Sequence, residues 1–182
     1  MTMKHVLAGT GLALLALGTS AAVLAANEMQ IDQRVSKTLQ HFDTINSANL
    51  SLGHKAAGML VFPRVTKGGI GIGGEYGEGA LLVDGKTVGY YRIGAASVGL
   101  TLGPAKHSEI IMFMTRESLD KFTSSDGWSI GADAGITVVS AGANGSYETQ
   151  TQQKPILGFV FAEKGLIGDL SLQGSKISKI KS

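Results

Sequence analysis

Apolar residues Ile31, Val35, Leu39, Phe42 and Ile45 recur at spacings of four, four, three and three, the period of a helix with one apolar face. The pattern predicts an amphipathic helix over about residues 30–48. At about 100° per residue, Arg34, Lys37 and His41 fall on one flank of the stripe and Asp32 and Asp43 on the other. The helix is electrically lopsided.

Beyond residue 56 the pattern becomes that of strands. Met59-Leu60-Val61-Phe62-Pro63 is a short apolar run stopped by proline, which predicts a buried strand. Asp84-Gly85 and Asn144-Gly145 each separate two strand-like runs, and both dipeptides favour positive φ at the two central positions of a hairpin turn. Further strands are predicted over 95–102, 108–114, 156–162 and 165–172. Thr115 has the side chain of an N-cap for a short helix over 117–122. The chain has 26 glycines, and much of this excess over usual glycine content sits in 68–79 and 127–145; glycine inside strands marks bends, bulges and close backbone approach. The expected fold is α+β: a strongly bent antiparallel sheet or partial β-barrel of short glycine-rich strands, with the N-terminal amphipathic helix and one further short helix packed on it.

The segment ahead of this pattern has a different logic. Lys4 precedes an apolar run over 6–17, and Ala21-Ala22-Val23-Leu24-Ala25-Ala26 offers small residues for cleavage after Ala25 or Ala26. Residues 1–26 are therefore expected to be a signal peptide and 27–182 a single exported, periplasmic domain, peripheral to the envelope membrane. The apolar run falls short of the roughly 20 residues of a spanning helix. With no cysteine in the chain, neither a lipoprotein anchor nor a disulfide is available. A net charge of +2, one lower without Lys4, argues against a bulk nucleic-acid binder. At 43% hydrophobic and 16% charged residues, the chain has the composition of a folded globule rather than of a disordered one.

Two motifs suggest chemistry but lack its context. Gly69-Ile70-Gly71-Ile72-Gly73-Gly74 satisfies G-x-G-x-x-G, yet a dinucleotide loop must open a helix, and Glu75-Tyr76-Gly77-Glu78-Gly79 follows instead. Gly127-Trp128-Ser129-Ile130-Gly131 satisfies G-x-S-x-G, but all four histidines (His5, His41, His54, His107) precede Ser129, whereas the hydrolase triad places its histidine last. No histidine pair at helical spacing and no Asp-rich loop marks a metal site. Asn49-Leu50-Ser51 and Asn144-Gly145-Ser146 are formal glycosylation sequons. Trp128 and Tyr90-Tyr91 are read as core or hairpin-packing aromatics. These residues predict no enzyme, no cofactor and no metal.

Read in order, Ala56-Ala57-Gly58-Met59-Leu60-Val61-Phe62-Pro63, Val65-Thr66-Lys67-Gly68-Gly69-Ile70-Gly71-Ile72-Gly73-Gly74, Gly77-Glu78-Gly79-Ala80-Leu81-Leu82, Ala95-Ala96-Ser97-Val98-Gly99-Leu100, Glu109-Ile110-Ile111-Met112-Phe113-Met114 and 164–174 together resemble the SYLF domain family. The resemblance is to a bacterial exported member. It implies a lipid-binding domain without catalytic residues; eukaryotic members bind phosphoinositides and some bind actin. The chain departs from lipoprotein members in lacking a cysteine, and Tyr91-Arg92 stands where family members commonly show a tryptophan–serine pair.

Three places are candidates for an anionic lipid or membrane surface. Arg34, Lys37 and His41 can reach headgroups while Ile31, Val35, Leu39 and Phe42 dip into the interface; the alternative is that this stripe packs on the domain's own sheet. Arg64 and Lys67 flank a loop whose glycine backbone can present amides to a phosphate. Lys176 and Lys179 lie in a basic tail. The competing expectation is an envelope adaptor that binds another protein through a strand edge or the helix stripe.

Overall fold

A computed structural model describes residues 16–133, 135–139, 147, 153–163, 165–167, 172 and 174–180. Helix α1 (Ala16–Ile45) is longer than its apolar stripe requires, and it is followed by α2 (Ser47–Lys55). Asn46 separates them: its side chain accepts from the Ala48 amide at 2.9 Å, satisfying one of the orphan donors of the α2 N-terminus.

Two very long strands follow, β1 (Gly58–Val83) and β2 (Lys86–Phe113), joined at Asp84-Gly85. Both turn residues have positive φ, 51° and 73°, as the dipeptide predicts. The strands pair antiparallel from Val83↔Lys86 to Gly58↔Phe113, with irregularities between Phe62 and Val65, Lys67 and Gly69, and Leu81 and Leu82. The expected separate short strands on either side of Arg64–Gly69 and the 69–79 tract are thus one bent ribbon. Pro63 sits at the first irregularity, where a missing amide costs no ladder bond. What the sequence suggests as a glycine loop is strand, and this corrects the expected phosphate-binding loop at Arg64–Gly69.

The ribbon curls back on itself. A Cβ on Gly79 would lie 2.0 Å from the Val61 carbonyl oxygen, and one on Gly77 would lie 3.0 Å from that of Arg64. Only glycine lets the second half of β1 cross so close to the first half. This crossing brings Glu75 towards the residue 65–67 region although the two are far apart along the ladder.

The remaining described elements are α3 (Arg116–Thr123), β3 (Trp128–Ser129), β4 (Thr137–Val138), β5 (Ile156–Ala162), β6 (Gly165–Leu166) and β7 (Lys176–Lys179). Thr115 caps α3 as expected, accepting from the Ser118 amide at 3.2 Å. Strands β7 and β5 pair antiparallel with the two ends of β2, and β4 runs parallel to β5. Together the seven described strands form a strongly curled half-barrel. The Asn144-Gly145 hairpin lies outside the described residues.

Alternation along the strands fills two cores. Leu60, Phe62, Ile111, Phe113 and Val160 pack with α3 residues Leu119 and Phe122 and with Trp128 on one face. Val61, Ile110, Met112, Leu157 and Phe159 pack with Ile31, Val35 and Phe42 on the other. Phe42 is 1% exposed, with its ring 4.9 Å from that of Phe159 and 5.3 Å from that of Phe161. A buried phenylalanine of this kind stabilises by about 3–5 kcal/mol relative to alanine. Leu39 and Ile45 are partly buried against the same core. The structure therefore corrects the membrane-facing reading of Ile31, Val35, Leu39 and Phe42: the sheet covers the stripe, because a bent sheet with an apolar outer face needs a helix to bury it. Asn49 is also buried, donating to the Phe42 carbonyl at 2.5 Å and accepting from the Tyr147 hydroxyl, so the first sequon offers no accessible asparagine. Among the described residues no helix is long and apolar enough to cross a membrane.

Candidate functional site

The lopsided charge of α1 decides how it sits. Asp32, on its acidic flank, accepts hydrogen bonds from the Thr87 and Tyr90 hydroxyls, both at 2.9 Å. These bonds fasten that flank to the turn end of the hairpin. Burial and the Asp32 carboxylate push the Tyr90 phenol up to about 12. The opposite, cationic flank is left facing the first irregularity of β1.

There the chain forms a cleft of about 670 Å³ whose polar wall is His41, Arg64, Lys106, His107, Ser108 and Glu163. Leu166 and Ile167 add an apolar edge. His41 Nε2–H donates to the Ala162 carbonyl at 3.3 Å, which holds the imidazole between α1 and β5. The Ser108 hydroxyl donates to the Pro63 carbonyl at 3.0 Å, tying β2 to the irregularity in β1. A smaller concavity of about 170 Å³ shares Pro63 and Arg64 with the cleft and adds Arg34. Of the sequence candidates, the structure brings Arg34, His41 and Arg64 together.

It separates the others. Lys37 is exposed on α1 but lines neither concavity. Lys67, one strand irregularity beyond Arg64, acts on the Glu75 carboxylate instead. Lys176 and Lys179 are exposed on β7, beside Gly94 and Tyr91 of β2, and line neither concavity. Lys106 was missed by sequence reasoning. It pairs with Thr66 across the ladder, a relation that only the strand register reveals.

Behind the cleft wall lies a second group. His107 Nε2 is 2.8 Å from Glu109 Oε1 and 3.8 Å from Glu75 Oε1. His107 and Glu109 are two residues apart on β2 and so share one face of the strand; Glu75 arrives through the crossing of β1. Burial, then the charge of Glu109 and a hydrogen bond with it, pushes the Glu75 carboxyl up to about 7, while His107 and Lys67 pull it partly back. Glu109 is 1% exposed, and its Oε2 has no hydrogen-bond partner among the described residues.

A third cavity, of about 320 Å³, opens between α1, α2 and the hairpin turn, with Leu39, Phe42, Met59 and Met112 inside and Asp43, His54 and Asp84 around it. Burial raises the Asp43 carboxyl, against the opposing charge of His54.

Residues 94–182 match the Ysc84 family, described as Las17-binding protein actin regulator. Over that span the chain is similar to the Ysc84 (SYLF) domain family. The match begins inside β2 and takes in Lys106, His107 and Glu109 as well as β5 to β7; Arg34, His41, Arg64 and Glu75 lie ahead of it. It agrees with the SYLF resemblance, and the matched family is one of binding domains. No curated protein matches the chain.

Proposed function

We propose that this domain binds the headgroups of anionic lipid at a membrane surface of the cell envelope, through the cleft between α1 and the first irregularity of β1. The observation that carries this reading is the convergence of Arg34, His41, Arg64 and Lys106 on two concavities that share Arg64. Two arginines can hold phosphate oxygens bidentately. A cation close to an anionic surface contributes about 1 kcal/mol, so the group gives weak, salt-sensitive adhesion rather than tight capture.

The apolar stripe is occupied by the sheet, so adhesion rests on this charged edge. With no cysteine for a lipid anchor, the folded surface has to supply the attachment itself. Export by residues 1–26 belongs to the same proposal: α1 packs from Ile31 onward, while Val23 and Leu24 stand 59% and 44% exposed, so the residues described just ahead of a cut after Ala25 or Ala26 take no part in the core.

A second reading is an adaptor that binds a protein, favoured by the family's description as Las17-binding. Co-sedimentation of the chain with vesicles, with and without anionic lipid and at low and high salt, separates the two. Lipid binding predicts sedimentation with anionic vesicles at low salt and release at high salt. Absence of sedimentation with every composition overturns it, and a co-purifying protein with indifference to lipid charge favours the adaptor.

A further inference from the structure

We propose that Glu75, His107 and Glu109 form a binding site for a first-row divalent cation, with Zn²⁺ the best fit. One imidazole nitrogen and two carboxylate oxygens lie within 4.8 Å of one another. Donors of a tetrahedral site with bonds near ~2.1 Å stand about 3.4 Å apart, and the His107 separations of 2.8 Å and 3.8 Å bracket that value. Modest side-chain shifts close the three around one ion.

An independent observation points the same way. Glu109 is buried, yet among the described residues its Oε2 meets no donor. A buried charged oxygen without a partner costs free energy, and Lys67 influences Glu75 through its charge. A metal ion would neutralise both carboxylates, and bidentate coordination by Glu109 would engage the unpartnered Oε2 as well as Oε1.

The donor set selects the class of ion. Calcium takes six to eight oxygens and magnesium keeps much of its water, while copper(I) seeks sulfur; one nitrogen with two carboxylates suits Zn²⁺ and its neighbours. His107 also lines the cleft, which gives an ion a route in from solvent. The site stands on these contacts alone and is independent of the lipid reading.

The test is calorimetric titration of Zn²⁺ into chelator-treated protein without a histidine tag, with Co²⁺ absorption as a second readout. One ion should bind per chain. His107→Gln and Glu109→Gln should each weaken binding by at least about 100-fold, beyond the usual ~10–100-fold cost of altering an outer-shell partner. His54→Gln, on α2, should leave binding unchanged. Absence of saturable Zn²⁺ binding to the unaltered chain overturns the proposal, as does unchanged affinity in both buried variants. If circular dichroism shows those two unfolded, Glu75→Gln, at the partly buried edge, decides: loss or change of the visible Co²⁺ bands supports the site, and an unaltered spectrum overturns it.

Discussion

Lys106 and Glu109 are three residues apart on one strand, yet they occupy opposite regimes. Lys106 is exposed on the cleft wall, and Glu109 is sealed behind it with His107 between the two regions. In the cleft, water screens each cation, so Arg64 and Lys106 add little to folding and are free to meet a ligand. Behind the wall, screening is lost and every charge must be answered locally. The same sheet thus separates charges open to solvent from charges that must be compensated.

The largest effect should follow from breaking the compensated side. In metal-free protein, His107→Ala leaves Glu109 buried against a second carboxyl with no imidazole, and should cost about 3–5 kcal/mol. Urea unfolding measures it, and a loss below about 1 kcal/mol would show that His107 does not compensate Glu109. Next in size, Gly79→Ala drives a methyl against the Val61 carbonyl, a backbone contact that no rotamer relieves, and should cost about 1–3 kcal/mol. Its readout is the thermal midpoint; an unchanged value would mean that the ribbon crossing yields easily.

How these regions come together was only partly legible in the sequence. Helix α1, the Asp84-Gly85 turn, the Thr115 cap and strand β5 are local features, written in periodicity and turn chemistry, and the structure contains them. The crossing of β1 is not local: Gly77 and Gly79 signal some close approach, but nothing in their spacing names Val61 and Arg64 as what they approach. Glu75 therefore reads as one acid in a glycine tract, and the Glu75–His107–Glu109 group escapes a search for ligands at helical spacing. His107-x-Glu109 was the available signal, since residues two apart on a strand share a face. The apolar stripe of α1 shows the converse limit. Its periodicity fixes the face but not the occupant, and the outward reading failed because the sheet's own second face needed cover.

The open side of the comparison should respond in binding and hardly in stability. Arg64→Glu with Lys106→Glu should lower sedimentation with anionic vesicles at low salt by about fivefold or more per reversed cation, while unfolding free energy changes by no more than about 0.5 kcal/mol. A stability loss comparable to that of His107→Ala would erase the distinction between the two regions.

The smallest effect sharpens where recruitment ends. Lys176 and Lys179 carry as much charge as the cleft pair, but they are exposed on β7 without a concavity beside them among the described pockets. If shape as well as charge selects the headgroup, Lys176→Ala with Lys179→Ala should leave vesicle binding within about twofold, since diffuse surface charge is largely screened at physiological salt. Equal losses from the tail pair and the cleft pair would instead mean that net charge alone drives adhesion. In that case the arrangement of Arg34, His41, Arg64 and Lys106 would matter only as a total, and salt dependence would be the same for every basic residue removed.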